Sequence, residues 1–307
     1  MSRAVSYSSY GGPEVLSVIE VPEPHAGEDQ VRVAVRATGL NPFDAKVRRG
    51  GYLPKHTLPS LQGSEFAGVV DEIGDEIGDG VTTWKIGDEV LGWIGRGAQA
   101  EHVVVAATSL AAKPEGLDWA TAGGIGLVGN TAKRATDSLS LGPNDTVLVS
   151  GAAGGVGLLS AQLAKRTGAT VIGTASERNH DFLRSLGIVP VSYGPGMTDR
   201  LRAAAPQGYT AVLDNVGRET IEAALALGVT PERINTIADH DAAMKHGLGS
   251  VGGGGKTSAE LAELAQLAAD GDLVLPIRAS FPADEVSAAY TELETGHGLG
   301  KVVLTFP

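Results

Sequence analysis

The chain has 307 residues and a mass of 31.3 kDa, more than one ordinary hydrophobic core accommodates, so two domains are expected. A net charge of −12 argues against nucleic acid or an anionic membrane as partner, and the absence of cysteine excludes disulfides and cysteine-ligated zinc. No basic segment leads into an apolar core near the start and no apolar run reaches membrane length, so a soluble, cytoplasmic protein is expected.

In chain order, residues 1 to about 115 read as β-rich. Residues 31–36 (VRVAVR) alternate strictly, as a half-buried strand does. Residues 69–70, 89–91 and 102–105 read as further short strands separated by Gly-Asp and Pro turns. Asn41-Pro42-Phe43-Asp44 opens a short helix, with Asn41 as cap and Pro42 in its first turn. The tandem DEIG at 71–74 and 75–78 reads as a lengthened hairpin turn.

From about 118 the texture becomes strand–helix alternation, the pattern of a parallel sheet covered by helices on both faces. Strands are expected at 146–150, 170–174, 188–191, 211–213 and 233–237, with helices at 158–166 and 179–186. Thr257 and Glu260 form a capping box for another helix, whose apolar face carries Leu261, Leu264 and Ala268. After Gly271 a helix bearing Val286, Ala289, Tyr290 and Leu293 ends at Gly296, and residues 301–306 read as a last strand. This tail is expected to return to the first domain.

The most informative stretch is VLVSGAAGGVG at 147–157, a β-branched strand followed by a glycine turn and a helix. A helix N-terminus offers unpaired N–H groups and a partial positive charge, and glycine lets a pyrophosphate approach the backbone. Ala153, Gly154, Gly155 and Val156 are the expected cradle. The pattern departs from G-x-G-x-x-G because Ala152 holds the first place, and alone it reads equally as a tight turn without ligand.

Together with residues 11–16 (GGPEVL), 39–44 (GLNPFD), 63–68 (GSEFAG), 129–132 (GNTA), 214–217 (DNVG) and 300–304 (GKVVL), this stretch resembles a known family over essentially the whole chain. The resemblance is to the medium-chain dehydrogenase/reductase superfamily, in the zinc-free quinone oxidoreductase-like branch to which ζ-crystallin belongs. It implies an α/β protein: a Rossmann doubly wound parallel sheet domain plus a discontinuous GroES-like β-rich catalytic domain. The expected boundaries are 1–117 for the N-terminal part of the catalytic domain, 118–270 for the Rossmann domain, and 271–307 for the return. Where zinc relatives carry ligand cysteine and histidine, this chain has Leu40 or Asn41 and Ser64, so no metal is expected. Relatives imply a homodimer, with 233–237 able to take part.

The second Rossmann strand ends Gly173-Thr174-Ala175-Ser176 without a carboxylate, which favours NADPH over NADH; Glu177 just beyond is a mild counter-argument. Ser176, Arg178, Asn179 and Tyr193 are the expected 2′-phosphate residues. The alternative is that Ser176 and Asn179 cap the next helix and Arg178 is solvated. The resemblance places Asn215 and Val216 on the nicotinamide-ribose side and gives Ile237 and Ala238 backbone groups to the carboxamide. It also makes Thr131 a hydrogen-bonding residue near the nicotinamide, unless it caps a following helix.

Hydride transfer asks the protein to align an acceptor and support charge on its oxygen. Asn41 is the first candidate donor, its alternative being a helix cap, and Tyr52 is the second, as donor or aromatic wall. The expected reaction is hydride transfer from NADPH to a quinone. The alternatives are reduction of an enone C=C bond and a non-catalytic NADPH-binding role. The lack of an obvious buried acid in the sequence favours the quinone. Gly252–Gly255 with Lys256-Thr257 fails the P-loop spacing and reads as a loop over the nicotinamide pocket.

Overall fold

A computed structural model describes residues 1–51, 57–74, 84–252, 255, 257–296 and 298–307. Tyr52 and the second half of the tandem DEIG therefore lie outside the described residues. In chain order come β1 (Ser2–Tyr7), β2 (Leu16–Val21), β3 (Gln30–Gly39), α1 (Pro42–Arg48), β4 (Ser60–Leu61), β5 (Glu65–Ile73), β6 (Glu89–Trp93), β7 (His102–Ala106), β8 (Leu110–Ala112) and α2 (Trp119–Asp137). Then follow β9 (Thr146–Val149), α3 (Gly155–Arg166), β10 (Thr170–Thr174), α4 (His180–Ser185), β11 (Val189–Val191), α5 (Met197–Ala204), β12 (Ala211–Asp214), α6 (Arg218–Ala226), β13 (Ile234–Thr236) and α7 (His240–His246). The chain ends with α8 (Ser258–Ala269), β14 (Ile277–Pro282), α9 (Val286–Glu294) and β15 (Lys301–Thr305).

Contacts divide the chain into two compact units, the first comprising Met1–Leu127, Lys256–Asp272 and Pro276–Pro307. Its main sheet runs β14-β15-β3-β5-β6-β8, with β7 also on β3, and a smaller sheet runs β2-β1-β4. The alternation in β3 is real: Val31, Val33 and Val35 are buried with Phe66, Tyr290, Val302 and Leu304 in one core. β15 pairs antiparallel with residues 37–39 of β3, so the C-terminal strand shares a sheet with the N-terminal part. The helix opened by Thr257 belongs to this unit, because α8 lies against β8; the expected boundary at 270 placed it with the parallel sheet.

α2 is a 19-residue helix that the sequence pattern does not announce. Four glycines (123, 124, 126 and 129) lower its helix propensity. Packing explains the first of them, since a Cβ at Gly123 would stand 2.5 Å from Ala37 O on β3. Asp118 starts the helix by accepting from Thr121 N–H at 2.9 Å.

The second unit comprises Val128–Gly255 and Leu273–Leu275. Its five strands are all parallel in the order β11-β10-β9-β12-β13. This is the 3-2-1-4-5 order of a doubly wound sheet, with the switch point between β9 and β12. Leu148, Ile172, Val212 and Ile234 pack on one face against Leu201 of α5 and Ala223 and Ala224 of α6, while α3 covers β9, β10 and β12. β13 does not present a bare edge. Asn235 bridges to Gly249, and its amide exchanges two hydrogen bonds with the Val251 backbone, at 2.8 and 2.9 Å. Any join between copies at 233–237 therefore meets the 249–251 stretch.

Candidate active site

In the second unit the site grows from the end of β9. Gly151 has a φ of +59, in the left-handed region that glycine enters without strain. Gly154 N–H donates to Gly151 O at 2.9 Å, closing the turn, and α3 starts at Gly155. A Cβ at Gly157 would stand 2.2 Å from Gly151 O, so glycine there lets the first turn of α3 press on the strand end. Ala152 in place of the first glycine is accommodated from the neighbouring strand. It is fully buried, and any Cβ at Gly173 of β10 would lie 2.5 Å from its methyl. The N–H groups of Gly155 and Val156 have no acceptor within the helix, whereas Gly154 N–H is spent on closing the turn.

Asp214, at the end of β12, ties three strand ends together and was not singled out from the sequence. Its Oδ1 accepts from Ser150 Oγ at 2.8 Å, Val216 N–H at 3.1 Å and Gly217 N–H at 3.0 Å. Its Oδ2 accepts from Thr236 Oγ1 at 2.6 Å. A buried carboxylate at a switch point, followed at once by a glycine turn, was the available signal. Asn215 turns its amide inward, donating to Ser150 O at 2.9 Å and Leu213 O at 3.3 Å.

Ile237 N–H donates to Asp214 O at 3.0 Å and Ala238 N–H to Thr236 Oγ1 at 3.2 Å. These two N–H groups are spent within the strand ends, which narrows the expected backbone contact with a carboxamide to the carbonyl oxygens. Thr131 lies inside α2, which removes the reading of it as the cap of a following helix. A Cβ at Gly252 would approach Ile237 Cγ2 at 2.8 Å and Thr131 Cγ2 at 3.1 Å, so these three residues meet in one place.

Beyond β10, Ser176 Oγ and Tyr193 Oη share a hydrogen bond of 2.9 Å. Neither Ser176 nor Asn179 caps a helix with its side chain. Asn179 is buried, whereas Arg178 and Glu177 are exposed. Glu177 turns toward Ser192, whose Oγ donates to its Oε1 at 3.3 Å.

In the first unit a buried polar network joins β3, α1, β5 and β15. Lys301 Nζ donates to Asn41 Oδ1 at 2.7 Å, Glu65 Oε1 at 2.8 Å and Leu40 O at 3.0 Å, a partner for each of its hydrogens. Asn41 Nδ2 donates to Glu65 Oε1 at 2.8 Å and to Asp44 Oδ2 at 3.3 Å. Asp44 Oδ2 also takes Asn41 N–H at 3.0 Å, and Asp44 Oδ1 takes Ser64 Oγ at 3.0 Å. Glu65 Oε2 accepts from Leu127 N–H at 2.6 Å.

Burial pushes the Asp44 carboxyl up to about 6, the nearby Glu65 charge adds to the rise, and Ser64, Lys301 and Asn41 act in the opposite direction. Two expectations change here. Asn41 was cast as a donor to the acceptor oxygen, yet both its amide hydrogens are held by carboxylates. The sequence offered no obvious buried acid, yet Asp44 is one. Glu65 and Lys301 stand in the sequence only as parts of the GSEFAG and GKVVL motifs; a charge at the first position of an otherwise apolar strand start was the signal.

The residues here do not fit a zinc ion. The chain has no cysteine, and no cluster of three or more His, Asp or Glu among the described residues could hold a metal. The cation beside Glu65 is the Lys301 ammonium. No helix among the described residues is long and apolar enough to cross a membrane.

Comparison with known proteins identifies the two kinds of domain. Residues 27–115 match the alcohol dehydrogenase GroES-like domain, and residues 190–304 match the domain described as zinc-binding dehydrogenase. The chain is 34% identical to a quinone oxidoreductase of Pseudomonas aeruginosa, covering 99% of both chains. It is 33% identical to a chloroplastic NADPH-dependent alkenal/one oxidoreductase of Arabidopsis thaliana, covering 98% of this chain and 79% of that one. The solved structure of an Escherichia coli quinone oxidoreductase complexed with NADPH superposes with a TM-score of 0.87 at 26% identity, covering 99% of this chain and all of that one.

Proposed function

Because the chain belongs to the quinone oxidoreductases of the medium-chain dehydrogenase/reductase superfamily, we propose that it is an NADPH-dependent reductase of quinones that works without zinc. The observation that carries this reading is the end of β10, where a Ser176–Tyr193 hydroxyl pair stands in place of a carboxylate. A carboxylate there would repel a 2′-phosphate, whereas hydroxyls donate to it. The residues present fit NADPH: the Ala153–Val156 backbone takes the pyrophosphate, Ser176 and Tyr193 take the 2′-phosphate, with Arg178 and Asn179 beside them. Thr131, Ile237, Ala238, Asn215 and Val216 surround the nicotinamide end.

When bound, NADPH supplies the hydride. The chain's own part is to hold the two ends of the cofactor and to keep the strand ends rigid through Asp214. The first unit is the proposed catalytic domain and the second the proposed cofactor domain. Asn41 belongs to the buried framework behind the acceptor, and Tyr52 remains the proposed donor to the acceptor oxygen. A homodimer in the cytoplasm, with no nucleic-acid partner, completes the proposal.

Mixing the protein with NADPH and 9,10-phenanthrenequinone is expected to give a fall in nicotinamide absorbance that survives a strong chelator. NADPH is expected to bind at least about tenfold tighter than NADH, or about 1.4 kcal/mol. Binding without oxidation across a quinone and enone panel would leave only a binding protein. Gly157→Ala is expected to weaken NADPH binding by about tenfold, because its methyl must push α3 off the Gly151 carbonyl and tilt the cradle. Unchanged affinity by titration calorimetry would remove α3 as the pyrophosphate site.

A second reading, reduction of an enone C=C bond, has an observation of its own. That reaction needs a proton on carbon as well as a hydride. Asp44, whose carboxyl burial raises to about 6 and which accepts from Ser64 Oγ, is the buried titratable group proposed to relay that proton, a role the quinone reaction does not require. The enone-to-quinone turnover ratio separates the two, and Asp44→Asn should lower it only if the relay is used.

A further inference from the structure

The loop between β11 and α5 presents Tyr193 to Ser176, and besides Arg200 it is held by Met197 N–H donating to Gly194 O at 2.9 Å and Ser192 Oγ donating to Glu177. Gly194 and Gly196 both have positive φ, at +85 and +78. Gly196 stands at the N-cap of α5 without a capping side chain. What gathers the loop's carbonyls is Arg200, from the first turn of α5. Its Nε donates to Ser192 O at 2.9 Å and its Nη1 to Pro195 O at 2.8 Å. Its Nη2 donates to Tyr193 O at 3.0 Å and Gly194 O at 3.1 Å. One planar guanidinium thus gathers four successive carbonyls, which a lysine, with three hydrogens on one atom, cannot match. No carboxylate among the described residues pairs with it, so its hydrogen bonds all serve the loop backbone. A Cβ at Gly196 would come within 3.2 Å of Nη1, which places the turn flat on the guanidinium.

We propose that Arg200 is the positioning residue that sets the preference for a 2′-phosphorylated dinucleotide, by shaping residues 192–195 so that Tyr193 Oη meets Ser176 Oγ. The proposal rests on the reading of that hydroxyl pair as the 2′-phosphate site. With the clamp in place the two hydroxyls stand together before the ligand arrives, and phosphate replaces their mutual hydrogen bond. Without it, the loop must be ordered at the moment of binding, and that cost falls only on a ligand that uses Tyr193. The adenine and the pyrophosphate do not depend on this loop and should not register its loss.

The test uses 2′,5′-ADP and 5′-AMP as probes, measured by calorimetry on the full chain. Arg200→Ala is expected to weaken 2′,5′-ADP by about tenfold and 5′-AMP by less than about twofold. In kinetics, KM for NADPH should rise while kcat and KM for NADH stay near their original values. In a Tyr193→Phe background, Arg200→Ala should add less than about twofold, because both changes remove one contact. Arg200→Lys, which keeps the charge but not the fork, should recover little of the loss. Equal weakening of both probes, additive effects with Tyr193→Phe, or full recovery by lysine would each overturn the proposal. If Arg200→Ala fails to fold, Arg200→Gln is read by the same ratios. Equal binding of the two probes by the unmodified protein would instead overturn the 2′-phosphate reading beneath it, so the two failures are distinguishable.

Discussion

Lys301→Met is expected to lower the stability of the protein by about 3–5 kcal/mol at pH 7–8, read as a fall in the urea midpoint. The side chain is 3% exposed and its ammonium stands against Glu65, which is fully buried. Removing it leaves that carboxylate without its cation and takes the ammonium donor from Asn41 Oδ1 and Leu40 O. Methionine fills the same volume, so the loss reports the uncompensated charge and the broken hydrogen bonds rather than a cavity. Adding Glu65→Gln should restore much of the stability, since glutamine removes the stranded charge and can still accept from Leu127 N–H. A loss below about 1 kcal/mol would mean that the ionic network does not hold β15 to β3 and β5.

Asp44→Asn is expected to flatten the pH dependence of stability between pH 4 and 7 and to make the protein more stable than the original above pH 6. The carboxyl moves from an ordinary 3.8 to about 6 on folding, so its proton is held more tightly in the folded state. Its stabilising contribution is fully present below pH 3.8 and is lost as the pH rises to about 6. The difference amounts to about 3 kcal/mol at 1.36 kcal/mol for each pH unit. Asparagine resembles the protonated form. Its Oδ1 can accept from Asn41 N–H, while its amide can donate to Ser64 Oγ once that hydroxyl turns. The groups facing Asp44 are Ser64, Asn41, Lys301, Glu65 and, through the field of its phenol, Tyr290. Parallel stability curves for the two proteins in chemical melts from pH 4 to 7.5 would show that Asp44 is ionised throughout.

Much of the architecture was legible because it is written in local patterns. The alternating valines of β3, the glycine turn after β9 and the capping box at Thr257 each act over a few residues, and each has its expected form. α2 was not legible. Its Gly123 answers to a backbone more than 80 positions earlier, at Ala37, and a helix built around such a contact looks like a loop in isolation. β14 was legible only as strand content returning after Gly271: its bounds and its place beside β15 are set by pairing with that strand rather than by a pattern of its own.

For the site, the sequence by itself determined what backbone sterics and residue type decide. It determined a helix start that can receive phosphate, a second strand ending without a carboxylate, and the impossibility of cysteine ligands. Only the tertiary structure decided how the polar side chains pair. Glu65 and Lys301 are 236 residues apart, Arg200 reaches back over a loop, and the Asn41 amide is taken up by partners from β5 and β15. The reason is desolvation: once these groups are buried, each must find a partner, and which partner stands within 3 Å depends on strands brought together from both ends of the chain.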